Sequence, residues 1–411
     1  MSRLTQAESP DSSPAGANKA PWRMWAAAWI VTAIFILSNS ATPLYVRWQA
    51  GIGFSSAMLT AIFAAYIFGL LLTLLVAGHL SDRFGRRPVL LPGLCAAIIA
   101  CLLFAGAQSV AMLLVARFLS GMAVGAAVSA GMASIVDLGG PERKRQASLL
   151  ASVSMVLGAG LGPLLAGSLA LALSEPIVPI FAAELAILAS ATLIAFLLPL
   201  RKATPPAEAA WRLRLPSVPR PNRLHLAFGI AVFGPGITAT SFVLSLGPSL
   251  LSQLIGVTSP LIAGAMACVM FLTATGVQFL VRSFSVRTMF LLGAAATVLS
   301  MAGIGMAISA SGAVVLIIAA LLAGGGQGLG QLGGLTLIGL HVPGERRAEA
   351  NAVLNIGGYI PAGLMPMATG FVIDWAGLAT GAASFAFILA VVAIAGGVFV
   401  SRNLSGTEDQ P

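Results

Sequence analysis

The chain has 411 residues, 58% of them hydrophobic and only 9% charged, with a formal net charge of +9 and a mean hydropathy of +0.96. A water-soluble domain needs about a quarter of its residues charged to cover its surface, so this composition excludes a soluble enzyme or a soluble nucleic-acid binder and leaves lipid to cover most of the surface. The positive charge has a topological reading instead, because Lys and Arg accumulate in the cytoplasmic loops of membrane proteins.

Residues 1–23 read as a disordered cytoplasmic tail, rich at the start in Ser, Pro and Ala. The first apolar run is too long for a signal-peptide core and leads into further spans. Twelve membrane-length segments follow, at about 24–46, 56–79, 88–107, 110–136, 147–172, 177–199, 226–250, 258–280, 288–308, 312–340, 350–373 and 378–400. Backbone polar groups cannot stay unpaired in lipid, so these are expected to be helices. No alternating ten-residue pattern suggests a barrel. Residues 200–224, with Pro205, Pro206, Pro216, Pro219 and Pro221 and six basic residues, read as a cytoplasmic linker. They divide the chain into an N-terminal six-helix bundle at 24–199 and a C-terminal one at 225–400, with a short cytoplasmic tail at 401–411.

Orientation follows from Lys and Arg. With the N-terminus inside, twenty of the twenty-two basic residues fall on inner segments, leaving only Arg47 on an outer loop and Arg117 within a span. The rule that basic loops stay inside then predicts that both termini are cytoplasmic. The halves carry a weak repeat. At a shift of 203, Glu142-Arg143-Lys144 matches Glu345-Arg346-Arg347. At the same shift Gly121 and Gly125 match Gly324 and Gly328, and Gly160, Pro163 and Gly167 match Gly363, Pro366 and Gly370.

Chemistry-bearing residues are few. The run Gly78-His79-Leu80-Ser81-Asp82-Arg83-Phe84-Gly85-Arg86-Arg87 reads as a tight charged loop between spans. Gly78 and Gly85 would permit close approach and a sharp turn. Asp82 would face a helix N-terminus, and Arg83, Arg86 and Arg87 would hold the anionic leaflet. Arg117 is a charge within a span, which needs a partner or a cavity. Glu184 is the one acid well inside a predicted span. Both lie about seven residues into their helices from the outer side, roughly 10 Å deep, so an ion pair between them is expected to be possible. Desolvation and a nearby arginine act in opposite senses on a carboxyl's proton affinity, a competition that can create a proton site. Gly158, Gly162, Pro163 and Gly167 combine close packing with a kink.

Three stretches resemble the major facilitator superfamily of secondary transporters. They are Gly78–Arg87, the segment Arg117-Phe118-Leu119-Ser120-Gly121 with Gly125, and Gly158–Gly167. The last is similar to the signature of drug:proton antiporters, with Ala166 where a second terminal glycine is common. The resemblance covers residues 24–400 and implies two six-helix bundles around a midplane site. It implies gating by Gly78, Asp82, Arg83, Gly85, Arg86 and Arg87, and a part for Arg117 in proton transfer; Glu184 is the candidate acid from its own position within a span, not from the resemblance. It also implies a cavity lined by spans 1, 4, 7 and 10, with Asn39, Tyr45, Met122, Phe233, Phe242, Gln327, Gln331, Asn355 and Tyr359 as candidates. Such a cavity, mainly apolar and bearing Met and aromatic residues, suits hydrophobic ligands.

The reading is therefore an all-α, multi-pass transporter of a bacterial-type inner membrane, working by alternating access. It would export hydrophobic or drug-like small molecules in exchange for protons, as a monomer. Proton-coupled uptake of a metabolite on the same fold is the alternative. No phosphate-binding loop is present, the three cysteines lack metal-ligand spacing, and the histidines His79, His225 and His341 look too scattered for a metal. No cofactor or nucleic acid is expected. An integral-membrane enzyme would show clustered acids, His or Cys at a membrane face, and a sensor would carry an added soluble domain.

Overall fold

The structure, a computed structural model, describes residues 21–200, 220–281, 283–310, 312–343 and 346–404, and within these not the side chains at 79, 82, 141, 145 and 348. The N-terminal tail, most of the linker, Glu345 and Arg282 thus lie outside the described residues. Regular structure among the described residues is helical throughout. Twelve spans are long and apolar enough to cross a bilayer: span 1 (Trp22–Ile52), span 2 (Ser56–Gly78), span 3 (Arg87–Ala105), span 4 (Val110–Gly139), span 5 (Gln146–Ala172), span 6 (Ile177–Leu197), span 7 (Arg220–Leu254), span 8 (Pro260–Leu280), span 9 (Val286–Ala310), span 10 (Ala313–His341), span 11 (Glu349–Ala376) and span 12 (Leu378–Asn403). Helix starts follow local chemistry. Ser55 and Ser109 each accept a hydrogen bond from a first-turn amide, that of Met58 and that of Met112, at 3.3 Å.

Two boundaries differ from the sequence reading. Span 7 begins at Arg220, so Arg220–Leu224 belongs to it and not to the linker. The charged run at 78–87 is mostly not a loop, because the helix of span 2 continues to Phe84. The reversal rests on Gly85 alone, at φ +92°, a left-handed conformation that disfavours any side chain. Gly78 lies inside the helix, and a Cβ there would meet no atom within 4 Å. It therefore provides neither a turn nor a close approach.

Spans 1 and 7 are the central elements, each 83% buried against 33–56% for the rest. The repeated glycines make repeated contacts. Gly121 and Gly125 of span 4 pack on the backbone and Thr73 of span 2, and Gly324 and Gly328 of span 10 pack on the backbone of span 8 in the same way. Across the halves, Gly160 and Gly167 of span 5 meet Cys268, Pro260 and Leu261 of span 8. Their partners in the repeat, Gly363 and Gly370 of span 11, meet Ile67, Thr60 and Ala57 of span 2. Small residues thus set both crossings between the bundles, as expected where helices associate by close packing and not by exclusion from water.

These crossings lie toward the end of the molecule opposite the basic turns. At that end Asp374 of span 11 accepts hydrogen bonds from the first amides of span 2, Ser56 at 2.8 Å and Ala57 at 3.0 Å, which places a negative charge on a helix N-terminus. Residues Thr42–Ile52, the far part of span 1, also touch spans 7 and 8 there. Gly264 of span 8 fixes the seal, because a Cβ would approach the Pro163 carbonyl carbon at 2.8 Å. Gly264→Val should hold the two bundles apart at this end. Thr42→Cys, placed in a Cys95→Ser background, should then label several-fold faster with an impermeant maleimide. Unchanged labelling would show that this crossing does not limit closure.

Candidate functional site

Span 1 is interrupted in its second half. Its α-helix ends at Ser40, a 3₁₀ turn covers Thr42–Leu44, and the helix resumes at Tyr45. Pro43 causes the break, since it lacks an amide hydrogen and its ring opposes the carbonyl four residues back. A break in an apolar span exposes polar groups that must find partners, and here spans 4 and 6 provide them.

Arg117 of span 4 is 1% exposed. Its Nε donates to the Tyr45 hydroxyl and its Nη1 to the Ser38 carbonyl. Its Nη2 has no hydrogen-bond partner among the described residues. The guanidinium carbon lies 5.0–5.9 Å from the ring centres of Tyr45, Phe63, Tyr66 and Phe104. Such faces attract a cation in a desolvated site. Tyr66 lies close to Ser38 and to Tyr359 from the other half. All three tyrosines of the chain are therefore gathered around or beside one arginine. Asn39 donates to the Ser38 hydroxyl at 2.9 Å, which in turn donates to the Phe35 carbonyl.

Glu184 of span 6 is fully buried, but the expected Arg117–Glu184 ion pair is absent among the described residues. Its Oε1 shares a hydrogen bond with the Ser40 hydroxyl, and its Oε2 has no partner. The two side chains reach nearly the same level of span 1, at Ser38 and Ser40. The pair that equal depth permits is not made, because each charge is met by span 1 instead of by the other. Cys101 of span 3 is the titratable neighbour of Glu184. Above it, Trp48 stacks on Phe104 and Phe181 at 5.8 and 6.1 Å.

The helix-5 glycines face two ways. Gly158 and Gly162 lie on span 1 beside Thr32, Phe35 and Ile36, and a Cβ at Gly162 would stand 3.0 Å from the Ser40 hydroxyl. Gly167 and the Pro163 carbonyl face span 8. The other candidates scatter. Phe233 is fully buried, edge-on to Tyr359 at 6.4 Å, and Phe242 stacks on Phe385 at 4.1 Å. Met122 lines a groove of about 340 Å³ between spans 2, 3 and 4. Gln327, Gln331, Asn355 and Tyr359 are half-buried on spans 10 and 11, with the Gln327 side-chain oxygen unpartnered. Asn355 donates to the Asn351 carbonyl.

At the basic end Arg86 is buried, donating to Ser81 at 2.9 Å and pairing with Asp137 of span 4 at 3.0 Å. Arg87 caps the end of span 6 through the Phe196 and Leu198 carbonyls. Arg83 lies over Phe84, while the side chain of Asp82 is outside the described ones. The sequence reading missed Tyr66, Asp374 and the His225–His341 pair, whose rings stack at 4.1 Å. Two of the three histidines are thus not scattered. Their stacked faces present no ligand cluster, and no group of three or more possible metal ligands occurs among the described residues.

Twelve spans in two repeated bundles around a buried polar cluster define a polytopic secondary transporter. The model of the Major Facilitator Superfamily matches residues 24–329, and the chain belongs to that family. It is 31% identical to the multidrug resistance protein MdtL of Escherichia coli O81 over 308 residues, 71% of this chain and 75% of the relative. Among solved structures it resembles the POT family transporter PepTSo, with a TM-score of 0.76 and 12% identity over 93% of this chain and 98% of that one. It also resembles the nucleoside transporter NupG, with a TM-score of 0.71 and 14% identity over 93% and 100%. At these identities the structural likeness speaks for the fold. Tyr45→Phe removes one charge-assisted bond from Arg117 while keeping the ring. It should lower stability by about 1–2 kcal/mol, read as an earlier thermal unfolding transition in detergent.

Proposed function

We propose that this chain exports hydrophobic, drug-like small molecules across a bacterial-type inner membrane in exchange for protons, with Glu184 carrying the proton. The observation that carries the reading is Glu184 itself, a fully buried carboxyl with no cation at ion-pair distance among the described residues. An isolated carboxylate in such a place is costly, and intramembrane acids of this kind mark proton relays. The name of the E. coli relative, a multidrug resistance protein, supports the substrate class. So does the weight of apolar and aromatic side chains among the cavity candidates.

The basic ends face the cytoplasm in this reading, as do both termini, and the seal at Asp374, Gly370 and Gly264 closes the external face. Arg117 holds the broken part of span 1, and Tyr66 links that cluster to Tyr359 of the other bundle. The end of span 2 at Asp82 and Arg83, the turn at Gly85, and Arg86 and Arg87 beyond it work as the gate at the cytoplasmic end. Its buried Arg86–Asp137 pair ties the turn to span 4. The chain acts as a monomer.

Uptake of a metabolite by proton symport is the second reading, favoured by the uncharged amides Gln327, Gln331 and Asn355 beside Tyr359. Accumulation of a panel of drug-like compounds in cells overproducing the protein separates the two. Export lowers accumulation, and a protonophore abolishes the effect; uptake raises it. Glu184→Gln should stop transport driven by a proton gradient while leaving substrate exchange across proteoliposomes intact. Full gradient-driven transport in Glu184→Gln would remove the proton role.

A further inference from the structure

The Ser40 hydroxyl has two neighbours and one proton. It lies 2.7 Å from the Ile36 carbonyl, which can only accept, and it also shares a hydrogen bond with Glu184 Oε1. Two arrangements satisfy this geometry. With Glu184 protonated, the acid donates to Ser40 and Ser40 donates to Ile36. With Glu184 ionised, Ser40 must turn its proton to the carboxylate and release the Ile36 carbonyl. The charge on span 6 is therefore written into the hydrogen bonding of span 1.

Ser40 is also the last residue of the first α-helix of span 1, immediately before the break at Pro43. Beyond the break, Thr42–Ile52 touches spans 7 and 8 of the opposite bundle at the sealed end. Gly162 keeps the space beside Ser40 open, since a Cβ there would crowd the hydroxyl and the Ile36 carbonyl. We propose that Ser40 is a positioning residue that transmits the protonation of Glu184 to the hinge of span 1, so that proton release loosens Thr42–Ile52 from the opposite bundle. This rests on Glu184 as the proton site and adds the route by which that site reaches the gate.

The groups around Glu184 leave the switch to it. Span 3 presents Cys101, and span 5 presents no charged side chain between Gln146 and Ala172. Span 1 presents Ser40 and, at its far end, Arg47, which is engaged with Glu175 and the Ser174 carbonyl. Arg117 of span 4 holds the other side of span 1 at Ser38 and Tyr45.

The test needs no transported substrate. Full-length protein carrying Thr42→Cys and Cys95→Ser is reconstituted in liposomes and labelled with maleimide from pH 5 to 9. Labelling is normalised at each pH to that of the unfolded chain. Labelling should rise several-fold toward high pH. Glu184→Gln should flatten the profile at its low-pH level. Ser40→Ala should flatten it too, although an infrared difference spectrum still shows the Glu184 carboxyl titrating, and Ser40→Thr should restore the response. A full pH response in Ser40→Ala overturns the relay and leaves Glu184 as the proton site. A full response in Glu184→Gln, or none in the parent protein, overturns both.

Discussion

A proline in the second half of span 1 sets the chemistry of this molecule. Pro43 cannot supply an amide, so the helix that runs through the centre of the N-terminal bundle breaks between Ser40 and Tyr45. In water such a break would be trivial. Within a bilayer its carbonyls and hydroxyls need partners from the protein. Arg117 and Glu184, the two most deeply buried charged side chains described, both end on this segment. A fault in one helix is thus the place where a cation from span 4 and an acid from span 6 are brought to bear on a third element. That element continues directly into the contact with the opposite bundle.

The surrounding scaffold is built from small residues. The crossings of spans 5 and 8 and of spans 2 and 11 are equivalent under the internal repeat, and each includes a glycine, Gly167 and Gly370, whose replacement would intrude on a backbone. Such contacts are tight without being sticky, and they involve few hydrogen bonds that must be broken. Interfaces of this type suit bundles that must part and close again. Asp374 adds a polar clasp at the rim, at an exposed position where water can replace it.

Much of this was legible in the sequence. Span positions follow from hydropathy alone, because lipid admits few alternatives to a helix of about twenty residues. The repeated glycines could be matched by eye, and the structure shows why the spacing recurs: equivalent helices pack at equivalent heights. Partnerships were harder. Residue counting gives depth along a helix but not azimuth, so it could bring Arg117 and Glu184 to one level without saying whether they meet; in the structure each meets span 1 instead. Gly78 looked like a turn because charge and glycine usually mean a loop, yet the helix simply runs on beyond the apolar core. Tyr66 carried no local signal; its only hint was that the chain has three tyrosines in all. The stacking of His225 on His341 depends on the tertiary fit of spans 7 and 10, which no sequence pattern encodes.

The two halves share a fold but not its charge. Where span 4 carries Arg117, the matched position of span 10 is Ala320, fully buried and apolar. Every buried charged side chain described, namely Arg86, Arg117 and Glu184, belongs to the N-terminal bundle. An electric potential across the bilayer does work only on charge that moves within it. Of the buried charges, Arg117 and Glu184 lie within spans, so a field across the bilayer would act mainly on the half that carries them.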